Sequence, residues 1–186
     1  MASSSSVPRV RDLREIKNDL LDNKNDTIIQ KLQNDPSLMY CIDSDRYLSI
    51  LKMIVLNPTP NEKIFEYLMQ NMTHDVYLRG GESILSNDTT IMVCVKYGTL
   101  DMLRMLVKAF TNINEKNKES GHTAIQLAFS NRKNKPIETI RILLENGANP
   151  LIKDNYGRTA KEYAIESMHG DKAMIQLFEE YEARYH

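Results

Sequence analysis

The sequence lacks an excess of charge of either sign. Its 24 Lys and Arg residues against 25 Asp and Glu residues give a formal net charge of −1. A domain that binds nucleic acid directly is expected to carry a basic stripe, so this balance argues against that function. No apolar run approaches the roughly 18 residues that a membrane span needs, and the start, MASSSSVPRV, lacks the apolar region of a secretory signal. We therefore expect residues 1–8 to be a disordered tail and the protein to be intracellular, cytoplasmic or nuclear, without a membrane partner.

Cysteine and histidine are also scarce. The two cysteines, Cys41 and Cys94, lie among apolar residues, as small buried side chains of a reducing compartment usually do. The four histidines share no spacing that is typical of a metal site. No stretch combines the glycines and the Lys-Ser/Thr pair of a phosphate-binding loop. We therefore expect no metal, no cofactor and no small-molecule substrate.

Two stretches of the chain follow the same pattern, GHTAIQLAF at residues 121–129 and GRTAKEYAI at residues 157–165. Thr123 and Thr159 align, and each is followed three residues later by a side chain that can complete a capping box, Gln126 or Glu162. A helix is therefore predicted to begin at the same point of both stretches. The alanines at 128 and 164 leave room there for the next helix to approach.

A second helix is predicted after each of these. Its apolar stripe is formed by Ile137, Ile140, Leu143 and Leu144 in one case and by Met174, Leu177, Phe178 and Tyr181 in the other. Gly147 is placed to end the first of them as a C′ glycine. A third copy begins upstream at Thr89, with Cys94 in the small-residue position and Leu100, Leu103, Leu106 and Val107 in the stripe. The repeating unit is thus a turn, a helix, a short loop and a second helix.

This unit resembles the ankyrin repeat, whose period is near 33 residues. The resemblance is carried by GHTAIQLA at residues 121–128, LLENGANP at 143–150 and DNYGRT at 154–159, which are similar to the family's D-x-x-G-x-T-P-L-H-x-A start and L-L-x-x-G-A-D ending. Ala124, Ala160 and Thr90 stand where the family has proline, and Gln126 stands where it has histidine. Residues near 133–135 lengthen one loop. The resemblance implies an all-α solenoid.

The first half of the chain has weaker signals. Ile64, Tyr67 and Leu68 have helical spacing, and the segment DRYLSILKMIVL could form the partner helix, with the proline-containing loop NPTP between them. Two short helices are predicted further upstream, and residues 75–88 are expected to be a turn-rich loop. We therefore predict one domain over residues 9–186 with units at about 9–40, 41–77, 85–117, 118–153 and 154–186. The alternative is four repeats with an unrelated N-terminal helix pair.

The resemblance implies a binding surface rather than a catalytic pocket. An array in which each unit contacts only its neighbours has no deep cavity and offers one long concave face, made by the first helices and the turn tips. We expect it to bind one or more partner proteins, as an adaptor, scaffold or inhibitor, at positions that the packing of the repeats does not need. These positions are Asp88, Lys96, Tyr97, Glu119, Ser120, His122, Ser130, Asn131, Asn155, Tyr156, Arg158, Glu166 and Ser167.

Two alternatives stay open at this point. The first is an enzyme that uses Cys94 or Cys41 as a nucleophile, although neither has an evident adjacent base and orienting group in the sequence. The second concerns the subtype of the array, since short arrays of this kind resemble both the inhibitors of kappa-B and viral host-interaction proteins. The sequence does not name the partner.

Overall fold

The computed structural model describes residues 9–43, 49–59, 61–72, 88–109, 112–130, 136–167 and 171–185. The chain divides into two compact units, one ending at Thr90 and the other beginning at Ile91. The predicted loop over residues 75–88, apart from Asp88, and the lengthened loop near residues 133–135 lie outside the described ranges.

Helices α1 (Arg14–Leu21), α2 (Asn25–Asn34), α3 (Ile50–Leu56) and α4 (Glu62–Asn71) form the described part of the first unit, with a 3-10 helix over Pro36–Tyr40. Of the predicted stripe of α4, Ile64 and Leu68 are buried and Tyr67 is half-buried. The two upstream helices also bury apolar side chains, namely Ile16, Leu20, Ile28 and Leu32. Burial of such a stripe supplies most of the stability of a short helix. Helices are therefore present where they were predicted in the first half, and its division into units at about 9–40 and 41–77 stays a prediction.

A short parallel strand pair is an addition to these helices. Strand β1 (Arg9–Arg11) pairs with β2 (Cys41–Asp43), with Val10 opposite Ile42. The first three residues of the first predicted unit thus form a strand. Three residues are too few to show an alternating apolar pattern, so periodicity did not indicate this strand. The pairing leaves Cys41 and Asp43 buried.

Lys52 of α3 is almost fully buried, although a lysine is normally exposed. All residues from Ile50 to Val55 are buried, so this part of α3 has no face in water. The ammonium group of Lys52 donates a 2.7 Å hydrogen bond to the backbone carbonyl of Asp88, and such a bond offsets part of the lost hydration. Asp88 is consequently half-buried and held by Lys52, rather than projecting as an isolated tip.

The second unit repeats a helix pair three times within its described residues. The first helices are α5 (Thr90–Tyr97), α7 (Ala124–Leu127, extended by the 3-10 turn Ala128–Ser130) and α9 (Ala160–Ser167). The second helices are α6 (Leu100–Ala109), α8 (Pro136–Glu145) and α10 (Lys172–Glu182, extended by Ala183–Tyr185). This is the predicted all-α repeat architecture.

Small side chains lie at equivalent points of the three first helices. Cys94, Ala128 and Ala164 are each at most 1% exposed. The apolar stripes predicted for the second helices face the same core, in which Leu103, Leu106, Leu143, Leu144, Leu177 and Phe178 are buried.

Among the described residues, no helix combines the length and the apolar character that crossing a membrane requires.

The predicted helix ends are confirmed in detail. The backbone N–H of Thr123 donates to Gln126 Oε1 at 2.7 Å, and Thr159 and Glu162 form the reciprocal pair of bonds of a capping box. At the end of α8, Gly147 has φ of 91°, its N–H binds the carbonyl of Leu144, and the next N–H binds the carbonyl of Leu143. These two bonds are those of a Schellman motif, in which Gly147 is the C′ residue, as predicted.

Candidate functional site

Two turn tips lie side by side in the second unit, over residues 117–123 and 154–159. Each begins with a side chain that accepts backbone N–H groups of its own turn, as Asx turns do. Asn117 Oδ1 accepts from the N–H groups of Glu119 and Ser120 at 2.8 and 2.9 Å. Asp154 Oδ1 accepts from those of Tyr156 and Arg158 at 2.8 and 2.9 Å. The tips are therefore fixed structures and not loose loops.

Asn155 joins the second tip to the first. Its side-chain amide donates to the carbonyl of Glu119 at 2.9 Å, and its backbone N–H donates to the carbonyl of Ser120 at 3.1 Å. This approach requires a glycine at position 121, where φ is 72° and where an added Cβ would lie 2.8 Å from the backbone nitrogen of Asn155. Two hydrogen bonds of Asn155 thus hold the two tips against each other.

A hydrogen-bonded cluster supports this surface from below. The hydroxyl of Tyr163 donates to Asp154 Oδ2 at 2.6 Å, and its oxygen lies 2.8 Å from Nε2 of His122 and accepts from Nη2 of Arg158. Since the proton of Tyr163 is used in the bond to Asp154, Nε2 of His122 must carry a hydrogen and donate it. The bonds also fix which way the His122 ring faces.

The protonation states of the cluster follow from its surroundings. Burial and the neighbouring Asp154 carboxylate raise the pKa of Tyr163 to about 12, so the phenol stays neutral at pH 7. Burial acts to raise the pKa of Asp154, but the hydrogen bonds from Tyr163 and from the N–H groups of Arg158 and Tyr156 lower it by more. Asp154 is thus a buried carboxylate that its neighbours hold in the charged form.

Arg158 lies between two tyrosine rings at the edge of the cluster. Its guanidinium carbon is 4.2 Å from the centroid of the Tyr163 ring and 5.5 Å from that of Tyr156, which are distances of cation–π contacts. Its Nη1 is 3.3 Å from Oε2 of Glu166 on α9. Tyr156 is 74% exposed, and no other exposed large hydrophobic residue in the described part of the chain is as accessible. The arginine is therefore held in place while its neighbour Tyr156 faces solvent.

Two polar side chains behind the tips connect successive repeats. Nε2 of Gln126 donates to the carbonyls of Ile152 and Arg158 at 3.2 and 2.7 Å. Asn114 donates to the carbonyl of Gly147 at 3.0 Å and accepts from the N–H of Asn149 at 2.7 Å. The capping role of Gln126 was predicted, but this second role was not, because a capping pattern gives no information about the following repeat.

The other predicted residues lie at the ends of the first helices. Lys96 and Tyr97 end α5, with the ammonium group of Lys96 5.5 Å from the centroid of the Tyr97 ring. Ser130 ends the 3-10 turn after α7 and is exposed, as is Ser167 at the end of α9. Asn131 lies outside the described residues.

The expectation that tip residues are dispensable for packing is wrong for His122, Asn155 and Arg158. Each makes hydrogen bonds between two turns or between a turn and a helix. Sequence reasoning also missed Asp154 and Tyr163 as the centre of the cluster. Asp154 had a signal, because it is the first residue of the D-x-x-G-x-T pattern, whereas Tyr163 had none.

Neither cysteine has the surroundings of a nucleophile. Cys94 is buried in α5, and burial raises the pKa of its thiol well above the ordinary value, so that the reactive thiolate is disfavoured. The thiol of Cys41 is buried as well and donates to the carbonyl of Ser37 at 3.3 Å. Within the described parts of the chain, no group of three or more His, Cys, Asp or Glu side chains could hold a metal ion.

A family model described as ankyrin repeats (3 copies) matches the chain over residues 51–154 and again over residues 91–185. The matches include α3 and α4 of the first unit, while α1 and α2 precede them. No curated protein matches the sequence significantly. Because the matched residues cover well over half of the chain and coincide with the repeated turn, helix and helix described above, the chain belongs to the ankyrin-repeat family.

Proposed function

We propose that this chain is a non-catalytic module that binds a partner protein through the turn tips and first-helix ends of its second unit. Ankyrin repeats are generally protein-interaction modules, and the family is typically non-catalytic. The central part of the proposed site is a tip surface made of Glu119, Ser120, His122, Asn155, Tyr156, Arg158 and Glu166. Lys96, Tyr97, Ser130, Asn131 and Ser167 complete the proposed set in the second unit, and Asp88 of the first unit is a separate predicted contact.

The observation that carries this proposal is the exposed ring of Tyr156 beside an arginine that is already fixed. Tyr and Arg are enriched among residues that dominate the binding energy of interfaces. An immobilised side chain loses little conformational entropy when a partner binds, which favours affinity. The bond from Arg158 to the Tyr163 hydroxyl and the contact of its guanidinium with the Tyr163 ring provide this immobilisation. The function we propose for the whole molecule is that of an adaptor, a scaffold or an inhibitor that occludes its partner.

Both cysteines are buried thiols outside any disulfide, which favours an intracellular location, in the cytoplasm or the nucleus, because oxidising compartments favour disulfides. The same burial argues against the cysteine-enzyme alternative, since a nucleophile needs an accessible thiolate. We expect the partner to be a protein and not a nucleic acid, a membrane or a small-molecule substrate.

The test is affinity capture of partner proteins from the native cell, using the wild-type chain and Tyr156→Ala. Because the Tyr156 ring is mostly exposed, the substitution should change stability by no more than about 0.5 kcal/mol, yet it should weaken capture of the partner. Leu21→Ala is the matched control, since Leu21 is 62% exposed but lies in the first unit. A partner that Tyr156→Ala captures as well as the wild type, and that Leu21→Ala loses, would move the binding surface away from the tips.

A further inference from the structure

Two of the three guanidinium nitrogens of Arg158 are engaged inside the cluster. Its Nε is buried, 3.6 Å from Oδ2 of Asp154, so an incoming group cannot reach it. Nη2 is bound to the hydroxyl of Tyr163, and the plane of the guanidinium is held against that ring. The side chain is 36% exposed, and with Nε buried and Nη2 bound to Tyr163, the Nη1 edge is the one left for a partner.

A carboxylate of the chain itself already lies on this accessible edge. Oε2 of Glu166 is 3.3 Å from Nη1, a long distance for a charge-assisted hydrogen bond. The Glu166 side chain is 60% exposed, so it can rotate away into water. Exposed ion pairs contribute little to stability, so replacing this carboxylate by another should cost little free energy.

We infer that Arg158 binds a carboxylate of the partner protein, an Asp or Glu side chain on an acidic segment, in exchange for Glu166. This inference rests on the proposed function and adds the chemistry that the tip surface recognises. The partner's carboxylate takes the place of Glu166 on the Nη1 edge, and the Tyr156 ring packs against the residue that carries it. Glu166 is then an internal competitor that occupies the site until a partner binds.

The surrounding charge favours a carboxylate over a phosphate group. One guanidinium faces two carboxylates of the chain within 4 Å, those of Asp154 and Glu166. A monoanion that replaces Glu166 on Nη1 leaves the number of carboxylates in contact with Arg158 unchanged. A phosphorylated side chain carries a charge of about −1.5 to −2 at neutral pH, and the single arginine beside buried Asp154 would not compensate for it.

The experiment titrates the full-length chain with a blocked six-residue peptide that carries two glutamates between glycines, and with the isosteric glutamine peptide. NMR signals of the Arg158 guanidinium and the Tyr156 ring are followed, with Arg158→Lys used to assign the former. The glutamate peptide should shift both signals in a saturable way, and the glutamine peptide should not. In Glu166→Gln the peptide should bind roughly two- to fivefold more tightly, the effect expected for removing an exposed ion pair.

Arg184 provides the matched control. Its guanidinium lies 3.9 Å from the Tyr181 ring centroid and 3.3 Å from Glu180, but this tyrosine is buried. Glu180→Gln should therefore leave peptide binding unchanged. Equal shifts with the glutamine peptide, or no tightening in Glu166→Gln, would overturn the inference. So would inorganic phosphate shifting the Arg158 signals at a lower concentration than the glutamate peptide.

These outcomes are separate from those of the partner capture. If capture depends on Tyr156 but the peptide fails to reach Arg158, only the carboxylate assignment is lost. If capture does not depend on Tyr156 but the peptide binds Arg158 as expected, the site is real and the proposed partner surface is wrong.

Discussion

The side-chain amide of Gln126 donates a 2.7 Å hydrogen bond to the backbone carbonyl of Arg158, so the cap of one helix also holds the turn of the next repeat. The same side chain accepts from the N–H of Thr123 and donates to the carbonyl of Ile152. Gln126 is almost fully buried. One residue thus serves both the secondary structure of its own repeat and the packing of its neighbour.

Replacement of Gln126 should therefore cost more than replacement of an ordinary capping residue. Gln126→Leu leaves the partners of these bonds without the side chain that satisfies them, and we expect a loss of about 2 kcal/mol in the free energy of unfolding. Glu162→Leu is the matched control, because Glu162 caps α9 in the same way but is exposed. Urea denaturation measures both. Equal losses would show that the bonds from Gln126 to the next repeat contribute nothing.

Alanine substitutions at three glycines can separate the cost of a strained backbone from the cost of a clash between two turn tips. Gly121, Gly147 and Gly157 all have positive φ, but only an added Cβ at Gly121 would meet another residue, Asn155. Alanine at Gly147 or Gly157 should cost about 1–2 kcal/mol, since an L-residue is strained there. Gly121→Ala should cost clearly more, because Asn155 must also move. Thermal melting of the three variants tests this, and a Gly121→Ala protein as stable as the other two would refute the close contact between the tips.

Acid should weaken the cluster around Asp154. The pKa of Asp154 is lowered in the folded state, so its contribution to stability is present above the unfolded pKa, near 3.9, and is lost as the pH falls through the lower folded value. Asp154→Asn should be less stable than the wild type at pH 7, by about 2 kcal/mol if bonds to a charged group have their usual strength. The difference should shrink below pH 4. Denaturation curves at pH 7 and pH 3 give this difference, and a constant gap would contradict the assignment.

The two cysteines should behave as core residues. Burial of Cys94 and Cys41 predicts that neither thiol reacts with an aromatic disulfide reagent in the folded protein and that both react after unfolding. Cys94→Ala should lower the free energy of unfolding by roughly 1 kcal/mol and leave the affinity for the partner unchanged. A thiol that reacts rapidly in the native protein, or a stable Cys94→Ala variant that has lost its cellular activity, would instead favour the enzyme alternative.

Much of the repeat architecture could be predicted from the sequence, because its signals are local. Thr123 and Gln126 are three residues apart, the stripe of α8 repeats every three or four residues, and Gly147 ends that helix within one turn. Such patterns depend on helix geometry, which is the same in every protein. The positions of Tyr156 and Arg158 in a turn followed from the same local pattern.

The hydrogen bonds between the turns of successive repeats could not be predicted from the sequence. His122 and Tyr163 are 41 positions apart, and Gln126 and Arg158 are 32 apart, so no helical or turn period relates them. Whether these side chains meet depends on the distance and rotation between stacked repeats, which are set by the packing of residues such as Ala128 and Ala164. The bond from Lys52 to Asp88 and the pairing of Arg9–Arg11 with Cys41–Asp43 likewise join residues that are more than 30 positions apart in the sequence. The repeated unit and its helix ends could thus be predicted from the sequence, whereas the stacking of the repeats placed Gln126 against the turn of Arg158 and His122 against Tyr163.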